Sequence, residues 1–158
     1  MMDGFGFPES AGDFRFRAES RIVRRLTRDL DSNGVALDLG SGIGRWAEQF
    51  AHDFSRVVAV ESSRALYQAL KERCAEHANV RPVLENAMSF ELDGKYDLVF
   101  LGGLLMYLDE SDVIALLQRL ASCLEPGGII LCRESTVRGE TVTRDGDYPV
   151  VYRSVSAY

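Results

Sequence analysis

The stretch "VALDLGSGIGRW", residues 35–46, runs a short apolar segment into three glycines spaced two apart, with a carboxylate, Asp38, inside the apolar run. Glycines at Gly40, Gly42 and Gly44 let the chain turn tightly and let a ligand lie directly on the backbone. A G-x-G loop after a strand is shared by dinucleotide binders, whose fingerprint adds a third glycine three residues after the second. That position holds Arg45, and a carboxylate at Asp38 opposes a pyrophosphate at the helix N-terminus. A cationic ligand bearing an ammonium group accounts for both features.

S-adenosylmethionine, a sulfonium with an amino-acid head, has that charge, and Asp38 can attract or organise the head through the loop. Twenty-one residues after Gly40, Glu61 ends the run "VVAVE", where a carboxylate can accept from both hydroxyls of a ribose. Further on, Asn86 can accept from an adenine amino group while Met88 packs on the ring. With Ser41, Ser62, Ala87 and Gly102, these residues form the expected cofactor site.

The elements that must position them alternate. β-branched runs at 35–39, 57–60, 80–84, 97–101 and 128–132 predict five strands. Helical patterns cover about 44–53, 63–77 and 111–123, with an irregular piece at 86–94 and a break at Glu125-Pro126-Gly127-Gly128. Strand and helix in alternation, with near-continuous apolar strands, predict an α/β fold with a doubly wound, mostly parallel sheet. Ligands in such sheets bind outside the carboxyl ends of the strands. His52 and His77 precede strands and so fall on the wrong edge, and no metal-ligand cluster meets the same test. Ahead of the sheet, residues 17–30 read as an amphipathic helix with Ala18, Ile22, Leu26 and Leu30 on its apolar face.

The chain has 158 residues and a formal net charge of −6, which argues for one domain and against duplex nucleic acid as a partner. One basic run departs from this: Arg15, Arg17, Arg21, Arg24, Arg25 and Arg28. It reads as a solvated helix face, with attraction of an anionic substrate as the rival reading. No run is long enough to cross a bilayer, and "MMDGFGFPES" lacks the features of a secretory signal, so the expected location is cytoplasmic. Cys74, Cys123 and Cys132 show no C-x-x-C spacing and read as small buried side chains.

"LDLGSGIGR" followed by "VVAVE" resembles the class I S-adenosylmethionine-dependent methyltransferases over residues 35–134. That resemblance implies a Rossmann-like core with S-adenosyl-L-methionine as cofactor, and a family sheet of seven strands whose last two are lacking here. The family usually has aspartate where Asn86 stands; asparagine keeps one acceptor oxygen. A closer likeness is to the plant-type phosphoethanolamine N-methyltransferases. It rests on the glycine loop, on "LLMYL" before an acidic helix start, on "RES" after the fifth strand, and on Pro149, Tyr152-Arg153 and Tyr158. By position, the likeness implies phosphate contacts from Tyr152 and Arg153, with Arg133 a weaker candidate.

The expected function is therefore methylation of a small molecule, best read as N-methylation of a phosphobase such as phosphoethanolamine. Holding donor and acceptor in line supplies most of the acceleration in such a reaction. An amine acceptor must also lose a proton, and Tyr107 and Glu134, both after strand ends, are the candidate catalytic residues. No Asn-Pro-Pro-Tyr follows the fourth strand, which lowers the nucleobase and planar-amide class, and no acidic metal triad of the catechol type is visible. Two rivals stand: O-methylation of a sugar or natural product, and a donor-binding module without its own activity.

Residues 1–158 read as one domain: an N-terminal helix or cap at 1–34, a donor-binding core at 35–134 and a substrate-side loop at 135–158. Within the loop, an Asp-Gly turn predicts a hairpin over 140–153 that covers the pocket. Five strands leave an open sheet edge, a hazard for association. The chain is thus expected either to be a fragment missing a C-terminal segment or to complete itself as a homodimer.

Overall fold

Five apolar segments pair side by side, all parallel, in the order β3-β2-β1-β4-β5. The strands are β1 (Val35–Leu39), β2 (Arg56–Glu61), β3 (Val80–Leu84), β4 (Tyr96–Gly102) and β5 (Leu124–Arg133). The helices between them are α2 (Arg45–Phe50), α3 (Arg64–Arg73) and α4 (Glu110–Ala121). This is the expected doubly wound α/β fold, seen in a computed structural model that describes residues 9–144, 146 and 149–158. The chain divides into two compact units, 1–30 and 31–158, and the sheet belongs to the second.

The central strands are buried along their length because helices cover a parallel sheet on both faces. Leu37, Leu39, Val58, Val60, Val99 and Leu101 are all in the core. Helix α4 joins it through Val113, Leu116 and Leu120, and starts where the Asp109 side chain accepts the Asp112 N–H at 2.9 Å. Strand order reverses between β1 and β4, so the two chains leaving those strands diverge and open a crevice at their carboxyl ends.

β5 begins four residues earlier than the pattern predicts. The Glu125–Gly128 stretch does end the helical region, yet it runs on as strand through a register irregularity opposite Tyr96/Leu98. Gly127 has φ +89°, and a side chain on Gly128 would come within 2.7 Å of the Tyr96 carbonyl oxygen. Glycine lets the strand bend there where a side chain would have ended it.

In the first unit, α1 (Glu9–Thr27) starts well before residue 17, and its buried positions are not those expected. Ile22 and Leu26 are 61% and 56% exposed, while Ser20, Val23 and Thr27 are buried. A strict four-residue spacing drifts by about 40° per step around a helix of 3.6 residues per turn. The 20-23-27 spacing alternates three and four and so stays on one face. Thr27 meets the cost of burial by donating its hydroxyl to the Val23 carbonyl at 3.1 Å.

Past β5, β6 (Val142–Arg144) and β7 (Val150–Tyr152) pair antiparallel as a separate two-stranded sheet. The expected hairpin is therefore present; of its Asp-Gly turn, Asp145 lies outside the described residues. Cys74 and Cys123 are buried as expected, but Cys132 is exposed, because β5 is the outer strand of its sheet. Among the described residues, no helix is long and apolar enough to cross a membrane.

Candidate functional site

A cavity of about 650 Å³ opens at the carboxyl ends of β1, β2, β3 and β4. Its walls come from the glycine loop (Gly40, Gly42), the end of β2 and start of α3 (Val60 to Ser63, Leu66), the segment after β3 (Glu85 to Ala87) and the segment after β4 (Gly102 to Leu104, Tyr107, Leu108). Several expected site residues meet here: Gly40, Gly42, Glu61, Ser62, Asn86, Ala87, Gly102 and Tyr107. Among the described residues, no cluster of His, Cys, Asp or Glu could hold a metal ion. His52 and His77 are not in the walls; their rings meet edge to face at 5.1 Å.

The loop is stitched to β2. Gly40 and Ser41 both donate their N–H to the Val60 carbonyl at 2.9 Å. Glu61, 7% exposed, closes the join with its carboxylate: Oε2 accepts the Gly42 N–H at 2.8 Å and Oε1 accepts the Ser63 N–H at 2.7 Å. Gly44 has φ +82°, and a Cβ there would lie 2.6 Å from Leu70 Cδ1, so glycine is required on both counts. Gly42 is different: a Cβ there would meet nothing within 4 Å. Its backbone borders open space.

Asp38, Ser41 and Gly44 shape the loop from outside the cavity walls. Ser41 donates its hydroxyl to the Asp38 carbonyl at 2.7 Å. The Asp38 carboxyl is almost wholly buried and its Oδ2 has no hydrogen-bond partner. Burial pushes its pKa from the ordinary 3.8 up to about 7; hydrogen bonds from Ser41 and the Ala47 backbone oppose the rise and the charge on Glu61 adds to it.

After β3, Asn86 turns the chain by accepting the Met88 N–H on its Oδ1 at 2.8 Å, an Asx turn that leaves its Nδ2 outside that bond. Met88 stands behind the wall, packed against the core. Arg119 on α4, not among the expected site residues, donates to the Ala87 carbonyl at 2.6 Å and also to the Met88 carbonyl. A basic residue late in an amphipathic helix gives no sign of reaching a loop 31 and 32 positions earlier. Ser63 and Leu66 were also missed; the signal was Ser63 as a helix N-cap directly after Glu61.

Tyr107 lines the cavity from a 3₁₀ turn (Leu105–Tyr107) that follows β4, and is 56% exposed. Glu134, Arg133, Tyr152 and Arg153 lie outside the walls. Glu134 Oε1 accepts the Leu105 N–H at 3.0 Å; its pKa is raised by burial and drawn back down by the amides of Leu105, Leu104 and Gly103. Arg153 is buried and donates to the Leu105 and Leu108 carbonyls, each at 2.7 Å. The Tyr152 ring lies under the Arg144 guanidinium at 5.3 Å. Arg133 lies beside the wall residue Gly103, its Nη1 4.0 Å from where a Cβ on that glycine would be.

Residues 36–128 match the methyltransferase domain family. The chain is 31% identical over 128 residues to wheat (Triticum aestivum) phosphoethanolamine N-methyltransferase 1, across 78% of this chain and 26% of that protein. It is 27% identical to the Drosophila melanogaster alpha N-terminal protein methyltransferase 1, across 100% of this chain and 58% of the fly protein. Among solved structures it superposes on Haemonchus contortus phosphoethanolamine N-methyltransferase 1, in complex with phosphoethanolamine and S-adenosylhomocysteine. That match has a TM-score of 0.74 and 26% identity, covering 90% of this chain and 32% of that one. The chain spans about a quarter of the length of the plant relatives it matches.

Proposed function

The chain belongs to the methyltransferase domain family, and from that premise we propose that it binds S-adenosylmethionine and methylates the amine of a small phosphorylated amino alcohol of the phosphoethanolamine class. The observation that carries the donor half is the Glu61 carboxylate. It is held on the cavity wall by two backbone N–H groups, each taking one lone pair of an oxygen and leaving another.

Three features fit the donor. Glu61 keeps acceptor capacity for a pair of ribose hydroxyls; Gly42 borders open space where a backbone-hugging ligand fits; and Asp38 holds an unpartnered, buried carboxyl oxygen under the loop. Asn86 and Ala87 would border the adenine, with the Asn86 amide group the polar contact. S-adenosylmethionine supplies a methyl group on a positively charged sulfur, open to in-line displacement by a lone pair. The chain's own part is to hold both partners at that geometry. Tyr107, a polar side chain lining the post-β4 wall, would hydrogen-bond the acceptor amine.

The acceptor half is supported by the wheat and nematode likenesses, and the fly relative is also named for transfer to an amine. That shared feature favours nitrogen over oxygen. An anionic group on the acceptor needs a cation, and Arg133, beside the wall residue Gly103, is the candidate for that role. The test is calorimetry with S-adenosylhomocysteine, then methyl-transfer assays with phosphoethanolamine, ethanolamine and a peptide with a free N-terminus. Binding followed by methylation of phosphoethanolamine, with Arg133→Ala raising KM for it far more than for ethanolamine, supports the reading. Transfer to the peptide alone moves the acceptor to a protein terminus, and absence of binding removes the donor assignment.

A further inference from the structure

The turn that carries Tyr107 has little to hold it from within. A three-residue 3₁₀ turn is a weak unit, and its own bonds are Tyr107 N–H to Leu104 O at 3.0 Å and Leu108 N–H to Leu105 O at 3.3 Å. Gly103 leads into it at φ +85°. Two side chains from elsewhere grip it. Glu134, one residue beyond β5, accepts the Leu105 N–H, and Arg153, one residue beyond β7, donates from Nη1 to Leu105 O and from Nη2 to Leu108 O. Leu105 is thus held at both its N–H and its C=O by charges of opposite sign, and Arg153 also reaches across Tyr107 to the far end of the turn.

We propose that Glu134 and Arg153 are positioning residues that clamp the 103–108 turn and so fix Tyr107 against the acceptor side of the cavity. The guanidinium fork bridges two carbonyls three residues apart, which a lysine ammonium cannot do in the same planar geometry. Both contacts are charge-assisted, and Arg153 makes its pair while only 6% exposed. Glu134 then acts as an acceptor for a backbone amide rather than as the base for the amine. Arg153 acts on the turn's carbonyls rather than on a substrate phosphate. The clamp itself stands on geometry alone; its effect on turnover rests on the methyl-transfer reading.

The experiment uses the full chain with Glu134→Gln, Glu134→Ala, Arg153→Lys and Arg153→Ala. Amide hydrogen exchange over 103–108, without ligand, is the first readout. Exchange about tenfold faster is expected for Glu134→Ala and both Arg153 variants, the change for losing a bond of this strength. Glu134→Gln, which keeps the acceptor oxygen, is expected to match the parent. The second readout is kinetic: kcat falls by a similar factor for phosphoethanolamine and ethanolamine alike in the three loosened variants, with S-adenosylhomocysteine affinity held. Unchanged exchange in Arg153→Lys and Glu134→Ala overturns the clamp. So does a Glu134→Gln variant as inactive as Glu134→Ala, or an Arg153 effect confined to KM for the phosphorylated acceptor. If the alanine variants do not fold, the Lys and Gln pair still decides. A parent chain that neither binds S-adenosylhomocysteine nor transfers methyl refutes the function, while hydrogen exchange judges the clamp separately.

Discussion

The Glu61 carboxylate accepts the Gly42 N–H at 2.8 Å, tying the end of β2 to the open apex of the glycine loop after β1. With the Ser63 N–H on its other oxygen at 2.7 Å, both oxygens already face donors. Glu61→Ala is expected to weaken S-adenosylhomocysteine by roughly 1–3 kcal/mol, the range for losing hydrogen bonds to a charged group. Glu61→Gln should be nearly as damaging, because its amide NH₂ would confront one of the two backbone N–H groups. Calorimetry on both variants decides; a Gln variant with parental affinity would mean the carboxylate does not shape the site.

Gly44→Ala tests the other end of the loop. At φ +82° a side chain is strained, and its Cβ would press on Leu70 Cδ1 at 2.6 Å and on the Leu70 Cα at 3.3 Å. Backbone strain alone is about 1–2 kcal/mol, and the packing clash adds to it. A lowered Tm together with weaker S-adenosylhomocysteine binding is the expected result. Gly42→Ala, at φ +56° with nothing within 4 Å of the added carbon, should cost less stability. Equal Tm losses at the two sites would contradict the role given to Leu70.

Arg119 should matter to the ligand without touching it. Arg119→Met removes the donors to the Ala87 and Met88 carbonyls while keeping most of the side-chain volume. Loosening of the 86–88 segment should weaken S-adenosylhomocysteine by about 1 kcal/mol, the usual net worth of such bonds. Calorimetry that finds no change would show that the segment is held well enough by the Asn86 turn alone.

Asp38 gives stability a pH dependence with a defined sign. Its folded pKa, about 7, lies above the ordinary 3.8, so the folded chain binds this proton more tightly than the unfolded one. The group's contribution is fully present below about 3.8 and is lost as pH rises through about 7. Asp38→Asn cannot ionise. The Tm of the variant relative to the parent should therefore improve on going from pH 5 to pH 8. Parallel Tm curves across that range would show that Asp38 is not the titrating group.

Alternation of β-branched runs with helical stretches settled the strand count and the parallel sheet, because central strands buried on both faces must be apolar throughout. The glycine loop and Glu61 were legible for a similar reason: a positive φ and a carboxylate at a strand end leave direct marks on residue type. Burial on α1 does not follow from its spacing, which does not say which of two slightly offset faces of a helix is buried. The same limit applies to the residues after β5 and β7. In the sequence Glu134 follows a strand end and so reads as a base, while the family likeness implies Arg153 as a phosphate ligand. Only the tertiary structure brought both onto the backbone of Leu105, because hydrogen-bond partners 29 and 48 positions apart are chosen by how strands are ordered in space and not by any pattern along the chain.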